Sequence, residues 1–117
     1  MLQFICYPKC TTCQRAKKWL DDRGLTYELR DIKTHNPTEE ELTAWYKTSG
    51  QTLKKFFNTS GLLYKSLELK TKLPAMTEEE MLKLLATDGM LVKRPLLIGE
   101  DFVLVGFKES QWEEQGL

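Results

Sequence analysis

Apolar and polar positions repeat along the chain with two different periods, and the places where one period gives way to the other outline its elements. Residues 2–7 (LQFICY) are apolar or aromatic on both alternating sides, the pattern of a central strand covered on two faces. Pro8 closes that strand. From 11 to 23, Ala16, Trp19 and Leu20 recur three and four apart while Arg15, Lys17, Lys18, Asp21 and Asp22 fill the opposite side. This predicts an amphipathic helix, stopped by Gly24. Residues 26–32 (TYELRDI) return to alternation and predict a second strand. Strand, helix and strand in so short a stretch form a βαβ unit with a parallel pair.

The middle of the chain reads as helical. Thr38 with Glu41 spells a capping box, followed by Leu42, Trp45 and Tyr46 on an inner face and by Gly50 as a stop. Leu53, Phe56 and Phe57 continue the apolar stripe into a short second helix, and Leu62, Leu63, Tyr64 and Leu67 mark a third. A second capping box, Thr77 with Glu80, opens a helix whose buried side is Met81, Leu82, Leu84 and Leu85, closed by Asp88-Gly89. The last third changes again: residues 95–98 (PLLI), a Gly99-Glu100-Asp101 turn and residues 102–105 (FVLV) predict an antiparallel hairpin, with a short helix over 110–114. The expected chain is α/β: a βαβ unit, an all-helical insert at about 36–90, and ββα, making one domain over 1–117 with a four-stranded mixed sheet.

Composition narrows the function classes. Seventeen Lys and Arg balance seventeen Asp and Glu, so no long-range positive field draws the chain to phosphate backbones or anionic lipid, and no direct nucleic acid partner is expected. No apolar run exceeds four residues, far short of the roughly 20 that span a bilayer, and the first residues lack the basic and apolar regions of a secretory signal. A cytoplasmic protein without a membrane partner is expected.

The three cysteines, Cys6, Cys10 and Cys13, lie within eight residues, too close and too few for a distributed disulfide framework. Cys10-Thr11-Thr12-Cys13 falls where the first strand gives way to the first helix. Unpaired amides and the helix dipole at that point stabilise negative charge on a Cys10 thiolate, the nucleophilic form, and Lys9 and Arg15 add positive charge nearby. One helical turn brings Cys13 back beside Cys10, where it can resolve an adduct. A zinc site would need four ligands, and beyond the pair only Cys6 and the single His35 remain, neither in a partner motif. No metal is therefore expected. Cys6, inside a strand, reads as a small core hydrophobe, and His35, among Thr34, Asn36 and Pro37, as a solvated loop residue. Arg94-Pro95 is the second feature: a strand starting at Pro95 beside the first strand would bring the Arg94 guanidinium to the Cys10 loop, and Pro95 is a candidate for a cis bond.

Four stretches, Tyr7-Pro8-Lys9-Cys10-Thr11-Thr12-Cys13, Phe57-Asn58-Thr59-Ser60-Gly61 with Tyr64, Lys93-Arg94-Pro95-Leu96-Leu97-Ile98 and Val105-Gly106-Phe107, together resemble the arsenate reductase/Spx family of thioredoxin-like proteins. The resemblance implies a thioredoxin-like fold and an arsenate reductase-like oxidoreductase. In it Cys10 is the nucleophile, Cys13 the resolving thiol and Arg94 the oxyanion ligand. Lys9, Thr11, Thr12, Asn58 and Pro95 would surround an oxyanion or disulfide substrate. Electrons would come from glutathione with glutaredoxin, or from thioredoxin, with no resident cofactor. Asn58 and Gly106 stand where glutaredoxin-linked members carry two further arginines. Each lost charge-assisted contact is worth roughly 1.5–3 kcal/mol, so weaker arsenate binding is implied unless Lys9, Lys93 or Lys108 compensates. The Spx branch implies the alternative of a redox-sensing transcriptional regulator that binds the C-terminal domain of the RNA polymerase α subunit, with Gly50 near the contact.

Overall fold

Phe4, Ile5 and Cys6 are all buried, as an apolar run with no polar face requires. The computed structural model describes residues 2–117, and in it these three side chains belong to strand β1 (Leu2–Cys6) at the interior of a mixed sheet. β1 pairs in parallel with β2 (Tyr27–Asp31), Leu2 opposite Tyr27 and Cys6 opposite Asp31. On its other side it runs antiparallel to β3 (Leu96–Ile98), Phe4 opposite Leu97, and β3 forms the expected hairpin with β4 (Val103–Val105). The order β2-β1-β3-β4 gives the sheet four strands. Leu29 is 56% exposed because β2 is an edge strand.

Alternation sends neighbouring residues of each strand into different cores. Phe4, Cys6 and Leu97 pack with Cys13, Ala16, Trp19 and Leu20 of α1 (Thr11–Asp22) and with Trp112 of α6 (Glu109–Glu114). Ile5, Leu96 and Val103 face the helical region. That region comprises α2 (Glu39–Ser49), α3 (Leu62–Ser66), α4 (Leu69–Lys72) and α5 (Glu78–Leu85), joined by 3₁₀ turns at Leu53–Phe56, Leu73–Ala75 and Gly89–Leu91. Both capping boxes are closed: Thr38 and Glu41 exchange bonds of 3.1 and 3.0 Å, Thr77 and Glu80 bonds of 3.2 and 2.8 Å.

Several details depart from the periodicity. Phe57 lies past the 3₁₀ turn in extended backbone, where it bridges Val92. Leu62 is 86% exposed and Leu67 lies beyond the end of α3, because a helix of just over one turn can bury a single position and Tyr64 takes it. α5 stops at Leu85 without help from Asp88-Gly89. Gly89 answers another need: a Cβ there would sit 1.7 Å from the Ile32 carbonyl oxygen, so only glycine lets this turn press against the end of β2.

Arg30 of β2 grips Glu41 of α2 with two bonds of 2.7 and 2.8 Å, tying the sheet edge to the helical region. These bonds, with those from Thr38, hold the Glu41 carboxyl down at about 2, against an ordinary 4.5. Its folded pKa is depressed, so the contribution to stability is complete above the unfolded value and fades as pH falls from about 4.5 to about 2. Glu41→Gln is expected to cost about 1–2 kcal/mol at neutral pH. Urea midpoints measured against pH should show that difference shrinking through the same acid window.

Among the described residues no helix is long and apolar enough to cross a membrane.

Candidate active site

β1 and α1 meet at the dithiol. Pro8 and Lys9 turn the chain out of the strand, and Cys10 is the residue that starts the helix: its backbone is extended (φ −81°, ψ 124°), its N–H donates to the Tyr7 carbonyl at 2.9 Å, and its carbonyl accepts the Gln14 N–H at 3.0 Å. Ser, Thr, Asp or Asn at such a position normally spends its side chain on the first helical amides. The Cys10 side chain makes no capping bond, so a half-buried sulfur sits beside amides that lack partners within the helix.

Cys13, one turn on, is 2% exposed. Its Sγ accepts the Tyr7 N–H at 3.3 Å and lies within hydrogen-bonding reach of the Cys6 and Cys10 thiols. The bond to Cys6, reinforced by burial, pushes the Cys13 thiol well above the ordinary range. Cys6 moves the opposite way because Cys13 is its hydrogen-bond partner. Cys13 is thus a protonated thiol at neutral pH.

A cleft of about 820 Å³ opens over Cys10. Thr12 and Asn58 line it together with Arg94, which arrives from the loop preceding β3 through a cis Arg94-Pro95 bond. The guanidinium of Arg94 lies 5.3 Å from the centre of the Tyr7 ring and its Nη1 donates to the Met90 carbonyl at 3.5 Å. Among the described residues it has no carboxylate partner. Arg15, Lys93 and Lys108 also face the cleft, and no Asp or Glu does. A chain of zero net charge has therefore gathered four cations around one sulfur. Leu62, Leu63, Met90 and Phe107 supply an apolar part of the wall.

The remaining residues expected around the substrate lie elsewhere. Lys9 and Thr11 are exposed but do not line the cleft, since they precede and open the helix on its solvent side. Pro95 is buried behind the wall, where its carbonyl accepts the Gly106 N–H at 2.8 Å and so fixes a residue that does line the cleft. Tyr7 does not line the cleft, but its ring lies beside Arg94, a contact that the sequence signals only by an aromatic residue next to the Pro8 turn. Gly50, exposed in the left-handed region (φ 68°), ends α2, and that conformation accounts for the glycine. His35 is exposed and bonded to the Thr34 hydroxyl at 3.0 Å.

Comparison with known proteins follows the same outline. Over 113 residues the chain is 55% identical to the uncharacterized protein YusI of Bacillus subtilis, covering 97% of this chain and 96% of that one. The regulatory protein MgsR of the same organism is 28% identical, covering 94% and 86%, and the global transcriptional regulator Spx of Enterococcus faecalis is 26% identical, covering 95% and 83%. Among solved structures, a Bacteroides fragilis protein described as ArsC family related superposes with a TM-score of 0.95 at 58% identity, covering 97% and 95%. A possible arsenate reductase from Streptococcus mutans gives 0.92 at 46%, covering 100% and 98%. The sheet and helix arrangement is the thioredoxin-like one of these neighbours. The ArsC family model matches residues 6–115, from the end of β1 to the end of α6, and the chain belongs to the ArsC family.

Proposed function

We propose that this protein is a thiol–disulfide oxidoreductase of the arsenate reductase type, acting on anionic substrates through Cys10. The observation that carries the reading is the cleft with four cations and no carboxylate around a half-buried sulfur at a helix start. In the disulfide form of the reaction, the Cys10 thiolate attacks one sulfur of R–S–S–R′, forming Cys10–S–S–R and releasing R′S⁻. Cys13 loses its proton and attacks the Cys10 sulfur, forming the Cys10–Cys13 disulfide and releasing RS⁻. Glutathione with glutaredoxin, or thioredoxin, returns two electrons to the dithiol. An oxyanion such as arsenate would be captured by the same sulfur. Lys93, Lys108 and Arg15 offset the positive charge missing at Asn58 and Gly106, and Arg94 is the ligand aimed at the bound anion.

The test is turnover of arsenate, oxidised glutathione and the neutral hydroxyethyl disulfide, each with glutaredoxin and then thioredoxin regeneration. Arg94→Ala is expected to raise KM about 10- to 100-fold for the charged substrates, the equivalent of one lost charge-assisted contact, and to leave the neutral disulfide nearly unchanged. Equal effects on both would remove Arg94 from anion binding, and no consumption of any substrate above background would remove the enzyme.

The regulators MgsR and Spx among the relatives support a second reading, a redox-responsive protein that binds the RNA polymerase α subunit. Co-purification of that subunit with the oxidised or the reduced protein tests it, and absence in both states ends it.

A further inference from the structure

The proposed chemistry uses two of the three thiols and leaves Cys6 idle. Cys6 ends β1 with its side chain turned toward α1, in the cluster that also holds Phe4, Cys13 and Ala16. Cys13 is the middle thiol of three: it packs in one buried cluster with Cys6, and Cys10 lies against that cluster on the cleft side. Cys6, 4% exposed, in turn borders a second groove, formed with Pro8, Asp31, Thr34 and His35 at the far end of β2. The sulfurs thus form a chain from the cationic cleft to another surface.

We propose that Cys6 is a third redox thiol, which takes over the disulfide from Cys10. The Cys6 thiolate attacks Cys13 Sγ of the Cys10–Cys13 disulfide, the Cys6–Cys13 bond forms, the Cys10–Cys13 bond breaks, and Cys10 departs as a thiolate. The electron count of the protein does not change. The proton lost by Cys6 goes to solvent or to Cys10, so no further oxidant is needed. The step rests on the proposed formation of Cys10–Cys13. Its geometry agrees with the packing: Cys6 and Cys13 lie in one buried cluster, with Cys10 against it on the cleft side. The consequence is a protein that stores one oxidation in its core while Cys10 is free to capture a second substrate.

Cleavage by trypsin after Lys9 and Arg15 makes the test direct. Cys6 falls on fragment 1–9, whereas Cys10 and Cys13 share fragment 10–15. The wild-type protein is treated with equimolar oxidised glutathione, quenched in acid, alkylated with N-ethylmaleimide and mapped without reduction. The relay predicts a cross-link between the two fragments through Cys13, with the alkyl group or a glutathione on Cys10. Its share should be at least ~10% of the oxidised protein, the level reached when the two disulfides differ by no more than a tenfold step in stability. Cys6→Ala should abolish the cross-link and keep the loop within 10–15. A loop alone, with Cys6 alkylated after unfolding, overturns the relay and leaves the Cys10 reading intact. If glutathione oxidises nothing, diamide, which oxidises any close thiol pair, is applied to wild type and to Cys10→Ser. Failure of glutathione to oxidise the protein counts against the Cys10 reading; a Cys6–Cys13 cross-link formed by diamide in wild type and lost in Cys10→Ser then supports the relay, whereas one formed equally in both, or in neither, overturns it.

Discussion

Cys10→Ser is expected to reduce turnover of every disulfide or oxyanion substrate by at least ~10³-fold, about 4 kcal/mol of transition-state stabilisation, while making the protein slightly more stable. The first effect follows because a serine hydroxyl is not ionised at neutral pH and cannot form the sulfur–sulfur bond on which capture and resolution both depend. The second follows from the position. Residue 10 is the N-cap of α1, its backbone already has the extended conformation a cap requires, and the cysteine side chain makes no capping bond. A serine Oγ there can accept one of the first helical amides, a bond worth about 0.5–1 kcal/mol, or roughly 3 °C in melting temperature for a chain of this size. Steady-state assays and thermal melts on the same preparations would show activity falling as stability rises. Retained turnover would mean that another thiol performs the attack, and a large loss of stability would mean that the sulfur is a packing group. At this site the natural sequence has left a helix start uncapped, and an accessible sulfur is what it has in place of the cap.

Much of this arrangement can be read from the chain because its signals are local. The capping boxes at Thr38 and Thr77 close as written, and the both-sided apolar pattern of residues 2–7 appears as β1, buried between two cores. The pairing of β1 with β3 follows from the same topology and carries Arg94 to the cleft. What is hidden depends on tertiary contacts. Leu67 keeps helical spacing with Leu63 and Tyr64, yet the chain turns between α3 and α4 at Glu68, a residue in the left-handed region (φ 54°) with no glycine to announce it. The buried contribution moves on to Leu69. Gly89 looks like a helix stop and is a contact point with Ile32, 57 positions earlier in sequence. In the site, charge at Lys9 and charge at Lys93 look equivalent in the sequence. Only the path of the chain shows that Lys93 faces the cleft while Lys9 faces solvent. The Tyr7 ring beside Arg94 and the contact of Cys13 with Cys6 are hidden for the same reason.

The largest loss of stability is expected from Trp112→Ala, about 3–5 kcal/mol, a large share of the 5–15 kcal/mol typical of a whole fold. α6 has six residues, and Trp112 is the one it buries. The indole is fully enclosed and meets three rings edge-on, Phe107 at 4.8 Å, Trp19 at 5.7 Å and Phe4 at 6.4 Å, joining α6 to α1 and to β1. Its Nε1 also donates to the Gly106 carbonyl at 3.1 Å, a buried bond whose loss leaves an acceptor unpaired at a cost of about 1–3 kcal/mol. The exposed Arg23–Glu113 pair at 3.3 Å is too solvated to hold the helix in its place. Gly106 and Phe107 are also walls of the thiol cleft, and Lys108 follows them, so the packing defect reaches the site. Urea unfolding should show the full loss for Trp112→Ala and roughly half for Trp112→Phe, which keeps a ring and gives up the N–H. Under conditions where Trp112→Ala is still folded, its KM for charged disulfides should rise because the Lys108 side of the cleft loses its support. A change below about 1 kcal/mol would mean that α1 and the sheet hold that wall without α6.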